Sequence, residues 1–186
     1  NRLLADVQDD LDFPKDLHKL HELCDVGEYE DYGSSWRIIG FQRGGPTTDI
    51  RGGGRLCIDN LIYFIQNAPR VSLHMMRERS HRDTPGKNYP WAAASISVTR
   101  LVAGYFGLID ELRGTAISRE NLQYHCNYHM LLDENGLARL FCLAFVLLDH
   151  EYEVTNASYM EFPTVLKNTK TNFSAIVDQY DTIAAC

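Results

Sequence analysis

Leu137-Ala-Arg-Leu-Phe-Cys-Leu-Ala-Phe-Val-Leu-Leu-Asp-His-Glu-Tyr152 decides the fold of this chain. Its apolar part, Leu137 to Leu148, is broken only by Arg139. A membrane-crossing helix needs about 20 apolar residues, so the stretch is too short to span and reads instead as a buried core helix. Asp133-Glu134-Asn135-Gly136 in front of it is a turn.

Working outward, the same helical spacing recurs on both sides. Pro14 opens a short amphipathic helix with Leu17, Leu20, Leu23 and Cys24 on one face. Leu56 to Ala68 reads as a helix that Pro69 stops or kinks. Residues 77–90 are a polar connection, and Trp91 to Leu108 is an Ala-rich helix. Ser118 is placed as the N-cap of a helix through about Leu132. A last helix is expected from about Thr155 to Tyr180, with Pro163 inside it or at its first bend. No stretch alternates at period two over a useful length. The expectation is an all-α, single compact multi-helix domain, with residues 1–35 as a lead-in with a short helix and 36–180 as the domain proper.

Between Phe41's neighbourhood and Leu56 the pattern breaks. Residues 40–54 hold Gly40, Gly44, Gly45, Gly52, Gly53 and Gly54 together with Pro46, and are expected to form a long glycine-rich loop. No lysine lies between Lys19 and Lys87, so this is not a G-x-x-x-x-G-K-[ST] phosphate loop. No strand precedes it, which excludes a dinucleotide fingerprint. The loop holds Asp49 and Arg51 beside Gly52-Gly53-Gly54, directly before an apolar helix. Glycines without side chains let another macromolecule come close, and a neighbouring arginine would then project toward it.

Composition narrows the function classes. The chain has 186 residues, 45% hydrophobic and 23% charged, the balance of a folded domain rather than a disordered one. Its formal charge of −7 argues against nucleic acid and against unaided attachment to anionic lipid. Five cysteines, an odd number at wide spacing, read as free thiols of a reducing compartment. His18, His21 and Cys24 at i, i+3 and i+6 are too rotated to share one zinc ion easily, and His125 with His129 lacks carboxylate companions. With no G-x-S-x-G either, covalent or metal hydrolysis is unsupported and no metal or cofactor is expected.

One longer pattern remains. Trp36-Arg37-Ile38-Ile39-Gly40-Phe41-Gln42-Arg43-Gly44-Gly45-Pro46-Thr47-Thr48-Asp49-Ile50-Arg51-Gly52-Gly53-Gly54, followed by Asn60-Leu61-Ile62-Tyr63-Phe64, resembles the signature of the ELMO (engulfment and cell motility) domain family. Tyr89-Pro90-Trp91-Ala92, Ile96-Ser97-Val98-Thr99 and Tyr159-Met160-Glu161-Phe162 with Val165-Leu166 resemble its later segments in the right order. Three positions depart from the pattern. Gly45 stands for an acidic or amide residue, Ile50 for phenylalanine, and Arg55 for a residue that is more usually apolar.

The resemblance implies one of two roles. Members that keep the arginine of T-D-F-R-G resemble GTPase-activating proteins for Arf-family and Arf-like GTPases, so Arg51 is the implied catalytic finger, with GTP and magnesium carried by the partner. Such a domain has no reaction of its own. The other role is a non-catalytic adaptor that binds a small GTPase or its exchange factor in cytoskeletal, engulfment or trafficking signalling. Asp49 is expected to orient Arg51 or the loop, and Gly52 and Gly54 to permit close approach. Trp36, Ile39 and Phe41 are expected to anchor the loop, while Gln42 either contacts the partner or satisfies loop carbonyls. A cytoplasmic site of action is implied, with recruitment to membranes through the GTPase.

Overall fold

The computed structural model describes residues 12–42, 44–50, 54–80, 88–109 and 128–179. In chain order the helices are α1 (Phe13–Cys24), α2 (Ser34–Ile39), α3 (Pro46–Asp49), α4 (Leu56–Asn67), α5 (Pro69–Ser80), α6 (Trp91–Tyr105), α7 (Gly136–Val154) and α8 (Phe162–Val177). Tight 3-10 turns occupy Tyr128–Leu132 and Tyr159–Glu161. The fold is all-α, as the periodicity predicts.

The opening stretch becomes α7, the pillar of the core. Leu140, Phe141, Ala144, Phe145, Leu148 and Tyr152 are buried at spacings of three and four, which puts them on one face of the helix. That face meets α4, α6 and α8. The ring of Phe64 from α4 lies 5.9 Å from Phe145, and Trp91 at the head of α6 stacks on Phe145 at 5.6 Å with the planes 23° apart. Each such side chain taken out of water contributes about 1.5–3 kcal/mol. Between α4 and α6 a buried polar pair is satisfied, Asn60 Nδ2 donating to Thr99 Oγ1 at 3.2 Å.

α1 lays Phe13, Leu17, Leu20 and Cys24 into the same core, packed on α4. The two elements are also tied by charge. Arg55, at the head of α4 and almost fully buried, places its guanidinium on the carboxylate of Asp16 and lies 3.7 Å from Asp59. A buried arginine needs such partners. The residue that departs from the family pattern is therefore a strut between α1 and α4.

Several boundaries differ from the sequence reading. Ala68 leaves the helical region (φ −140°, ψ 57°) and Pro69 restarts a helix at once, so α5 covers part of the expected polar connection. Proline in a first turn loses no hydrogen bond, because its missing N–H is one the helix end leaves unpaired. For the same reason Pro46 begins a single helical turn, α3, inside the glycine-rich stretch. The expected helix from Thr155 to Tyr180 is divided: α7 runs on to Val154, Asn156 turns back with φ 50°, and α8 starts only at Phe162, with Pro163 in its first turn. Ser158 closes the intervening turn, its backbone N–H and hydroxyl both donating to Glu161 Oε2 at 2.8 Å. These bonds hold the Glu161 carboxyl below its ordinary range. The helix assigned from Ser118 lies outside the described residues, apart from the 3-10 turn that ends at Leu132.

Candidate functional site

The site is the glycine-rich segment and what holds it. α2 ends where Gly40 takes up φ 101°, a conformation that L side chains rarely adopt. A Cβ at Gly40 would lie 2.5 Å from the backbone nitrogen of Trp91 and 2.9 Å from that of Ala92, so the segment runs directly against the first turn of α6. The contact is also bonded, with the Ala93 N–H donating to the Gly40 carbonyl at 3.2 Å. On either side, Trp36, Ile39 and Phe41 are buried. The indole N–H of Trp36 donates to the Glu30 carbonyl at 2.6 Å, and the rings of His21, Tyr29 and Phe41 meet Trp36 edge-on. These three apolar residues anchor the segment, and Trp36 has no surface to offer a partner.

Beyond Phe41 the chain folds back on itself. The Asp49 carboxylate accepts the Gln42 backbone N–H at 2.6 Å, which clamps the start of the segment to the end of α3. The Gln42 side chain reaches across to another element, its Nε2 donating to the Tyr159 hydroxyl at 3.3 Å. The Gly33 N–H bonds the Gly44 carbonyl at 2.8 Å, and the Tyr32 ring lies over Gly44 and Gly45. A Cβ at Gly45 would stand 2.8 Å from Tyr32 Cδ2, so the glycine in place of an acidic or amide residue makes room for this ring.

Arg51 and Gly52 lie outside the described residues, as does Gly53, but both ends of that short span are described. Ile50 is fully buried, which accounts for an apolar residue at this position. Its carbonyl accepts the Gly54 N–H at 2.8 Å, and Gly54 (φ 59°) accepts the Cys57 thiol at 2.9 Å. Gly54 is itself buried and shapes the entry to α4 rather than a contact surface.

Beside the segment lies a groove of about 430 Å³, lined by Arg37, Gly40, Gln42, Tyr89, Pro90 and Tyr159 among others. Arg79, also at this groove, is held by Asp149 of α7, Nε to Oδ1 at 2.6 Å and a second nitrogen to Oδ2 at 3.3 Å. The Tyr89 hydroxyl donates to the same Asp149 oxygen at 2.7 Å. Burial, then the Asp149 charge, pushes the Tyr89 hydroxyl well above its ordinary pKa, so it stays a donor at any physiological pH. Sequence reasoning missed this triad. The available signal was Asp149 itself, an acid at the end of an apolar helix run, which calls for a buried partner.

The sequence model of the ELMO/CED-12 family matches residues 4–166. The chain belongs to that family. Among ELMO-domain relatives, the ELMO domain-containing protein C of Dictyostelium discoideum is 29% identical over 162 residues, covering 80% of this chain and 24% of its own length. The ELMO domain-containing protein B of the same organism is 30% identical over 167 residues, covering 88% and 53%. Engulfment and cell motility protein 3 of Mus musculus is 25% identical over 134 residues, covering 71% and 18%. This chain thus spans between about a tenth and about a half of the length of the curated relatives it matches.

Other candidate chemistry is not gathered among the described residues of the ELMO domain. His18 stacks on Tyr29 at 4.5 Å, whereas His21 is buried against Tyr29 and Trp36. Burial pushes the Cys24 thiol up to about 12. His125 and Cys126 lie outside the described residues, and His129 is exposed. Among the described residues no three His, Cys, Asp or Glu side chains are grouped to hold a metal ion, and no helix is long and apolar enough to cross a membrane.

Proposed function

We propose that this ELMO domain stimulates GTP hydrolysis on an Arf-family or Arf-like GTPase, with Arg51 as the arginine finger. The observation that carries the reading is the anchoring on both sides of Arg51. Ile50 is buried immediately before it, the Gly54 N–H closes onto the Ile50 carbonyl just after, and Asp49 clamps the incoming arm through Gln42. A finger must be delivered to the developing charge on the phosphoryl oxygens from a support that does not drift. Asp49 supports Arg51 by holding the segment. Arg55, the next arginine along, is committed to Asp16 and Asp59 and is unsuited to the task.

Binding without catalysis is a second reading with an observation of its own. Tyr32, Ile38, Tyr159 and Met160 are all strongly exposed and belong to the elements around the segment. Exposed large apolar groups on elements flanking the segment favour a protein partner. An adaptor for a small GTPase or its exchange factor would use the same face. Either role would be carried out in the cytoplasm, with membranes reached through the GTPase.

Single-turnover hydrolysis by a panel of Arf-like GTPases separates the two. Arg51→Ala is expected to remove the stimulation, about 10³–10⁵-fold for a finger. Arg51→Lys should be nearly as impaired, because lysine keeps the charge but not the planar fork. Equal stimulation by both variants and the unmodified domain would take Arg51 out of the mechanism. A stable complex without acceleration of any GTPase would favour the adaptor.

A further inference from the structure

The turn Ser158–Glu161 has no part in the mechanism so far, yet it touches the candidate site. It is built firmly, since Ser158 satisfies Glu161 Oε2 through both its backbone N–H and its hydroxyl at 2.8 Å. Tyr159 at the head of this turn is half exposed and accepts the Gln42 amide at 3.3 Å. The two residues are 117 positions apart in sequence, so the contact joins the glycine-rich segment to the C-terminal part of the domain.

We propose that Tyr159 is a positioning residue for the segment that carries Arg51, acting through Gln42. The Gln42 side chain is held by the Tyr159 hydroxyl, and the Gln42 backbone N–H is held by Asp49 at 2.6 Å. Gln42 is therefore fixed at two points, one on the segment's own far end and one on a separate element. Asp49 precedes the buried Ile50, and Ile50 precedes Arg51. The path toward the arginine runs from Tyr159 to Gln42 through a bond between side chains, and from the Gln42 backbone N–H to the Asp49 carboxylate. Without the Tyr159 link, the described hydrogen bond that remains at Gln42 is the one from its backbone N–H to Asp49. This role rests on the proposed GTPase-activating function for its consequence in rate, but the restraint itself is a property of the domain alone.

The experiment combines hydrogen exchange with single-turnover hydrolysis on Tyr159→Phe, Gln42→Ala and the double variant. Tyr159→Phe removes only the hydroxyl and leaves the ring, so its melting temperature should match that of the unmodified domain within about 2 °C. Loss of one neutral hydrogen bond corresponds to about a two- to tenfold effect. The amides of Gln42 and Gly54 are expected to exchange about two- to tenfold faster in Tyr159→Phe. The maximal stimulated rate should fall by a similar factor, with the half-saturating GTPase concentration unchanged. Gln42→Ala should match it, and the double variant should lose no more than Gln42→Ala alone. Exchange at the unmodified rate overturns the proposal. So does an unchanged maximal rate in a domain that Arg51→Ala inactivates, or a loss confined to the half-saturating concentration, which would make Tyr159 a docking residue. Should the unmodified domain stimulate no GTPase, the GTPase-activating reading falls while the exchange result still decides the restraint.

Discussion

Replacing Gly40 by alanine tests how the segment is seated on α6, and its size can be worked out from two separable costs. The first is conformational. Gly40 has φ 101°, and a non-glycine residue forced into a rare backbone region costs about 1–3 kcal/mol. The second is steric. The new methyl would stand 2.5 Å from Trp91 N, 2.9 Å from Ala92 N and 2.7 Å from Ser80 Oγ. The serine oxygen can rotate away, but the two backbone nitrogens belong to the first turn of α6, whose Trp91 is stacked in the core. Relief therefore requires α2 or α6 to shift, and overpacking of this kind costs about 1–3 kcal/mol. Gly27 supplies the control: its φ is 111°, and a Cβ there would meet nothing within 4 Å. Gly27→Ala carries the conformational cost alone. In denaturant unfolding, Gly40→Ala is expected to lose about 2–6 kcal/mol and Gly27→Ala about 1–3 kcal/mol, the Gly40 variant losing more by the steric cost of about 1–3 kcal/mol. For a domain of this length the Gly40 variant should melt roughly 4–24 °C lower. Losses equal within about 0.5 kcal/mol would refute the close approach of Gly40 to α6.

Two further outcomes follow from the described contacts. Asp149→Asn removes the nearer counter-charge of Arg79, whose side chain is only 9% exposed, and with Glu153 still 3.7 Å away should cost about 3 kcal/mol, whereas Tyr89→Phe removes one hydrogen bond and should cost about 1 kcal/mol. Urea unfolding that finds the two variants equal would contradict the burial of the ion pair. Burial, aided by the neighbouring His18, pushes the His21 imidazole below its ordinary 6.5, against the opposing pull of Glu30 and Glu22. The unfolded chain then takes up a proton that the native state resists, so stability falls as pH drops below 6.5 and levels off below the native pKa. Melting temperatures between about pH 7.5 and 5.5 should show this decline, and His21→Phe, which keeps the ring contacts, should remove its share. An identical profile for the two proteins would sink the assignment.

How far the chain could be read from its sequence depended on the range of the interaction. α7, α4 and α6 were legible because a helix writes its buried face into the spacing of neighbouring residues, as Leu140, Ala144, Leu148 and Tyr152 do. Pro69 ends α4 as the sequence reading has it, but that it also starts α5, and that Pro163 sits in the first turn of α8, were not legible, because proline ends one helix and starts another with equal ease and the choice rests on what the flanking residues pack against. In the site, Trp36, Ile39 and Phe41 could be recognised as anchors from their apolar character. The Asp49–Gln42 clamp could not, since a carboxylate in a loop has many possible donors.

By itself, then, the sequence determined the helical class, the interruption by glycines ahead of α4, and membership of the ELMO family through motifs strung along most of the chain. Tertiary structure alone decided which of those motifs meet. Gln42 and Tyr159 lie 117 positions apart, Arg79 and Asp149 lie 70 apart, and Arg55 and Asp16 lie 39 apart. No local periodicity encodes such pairs. They arise when apolar faces close on one core and leave each buried polar group only the partners that packing brings within reach.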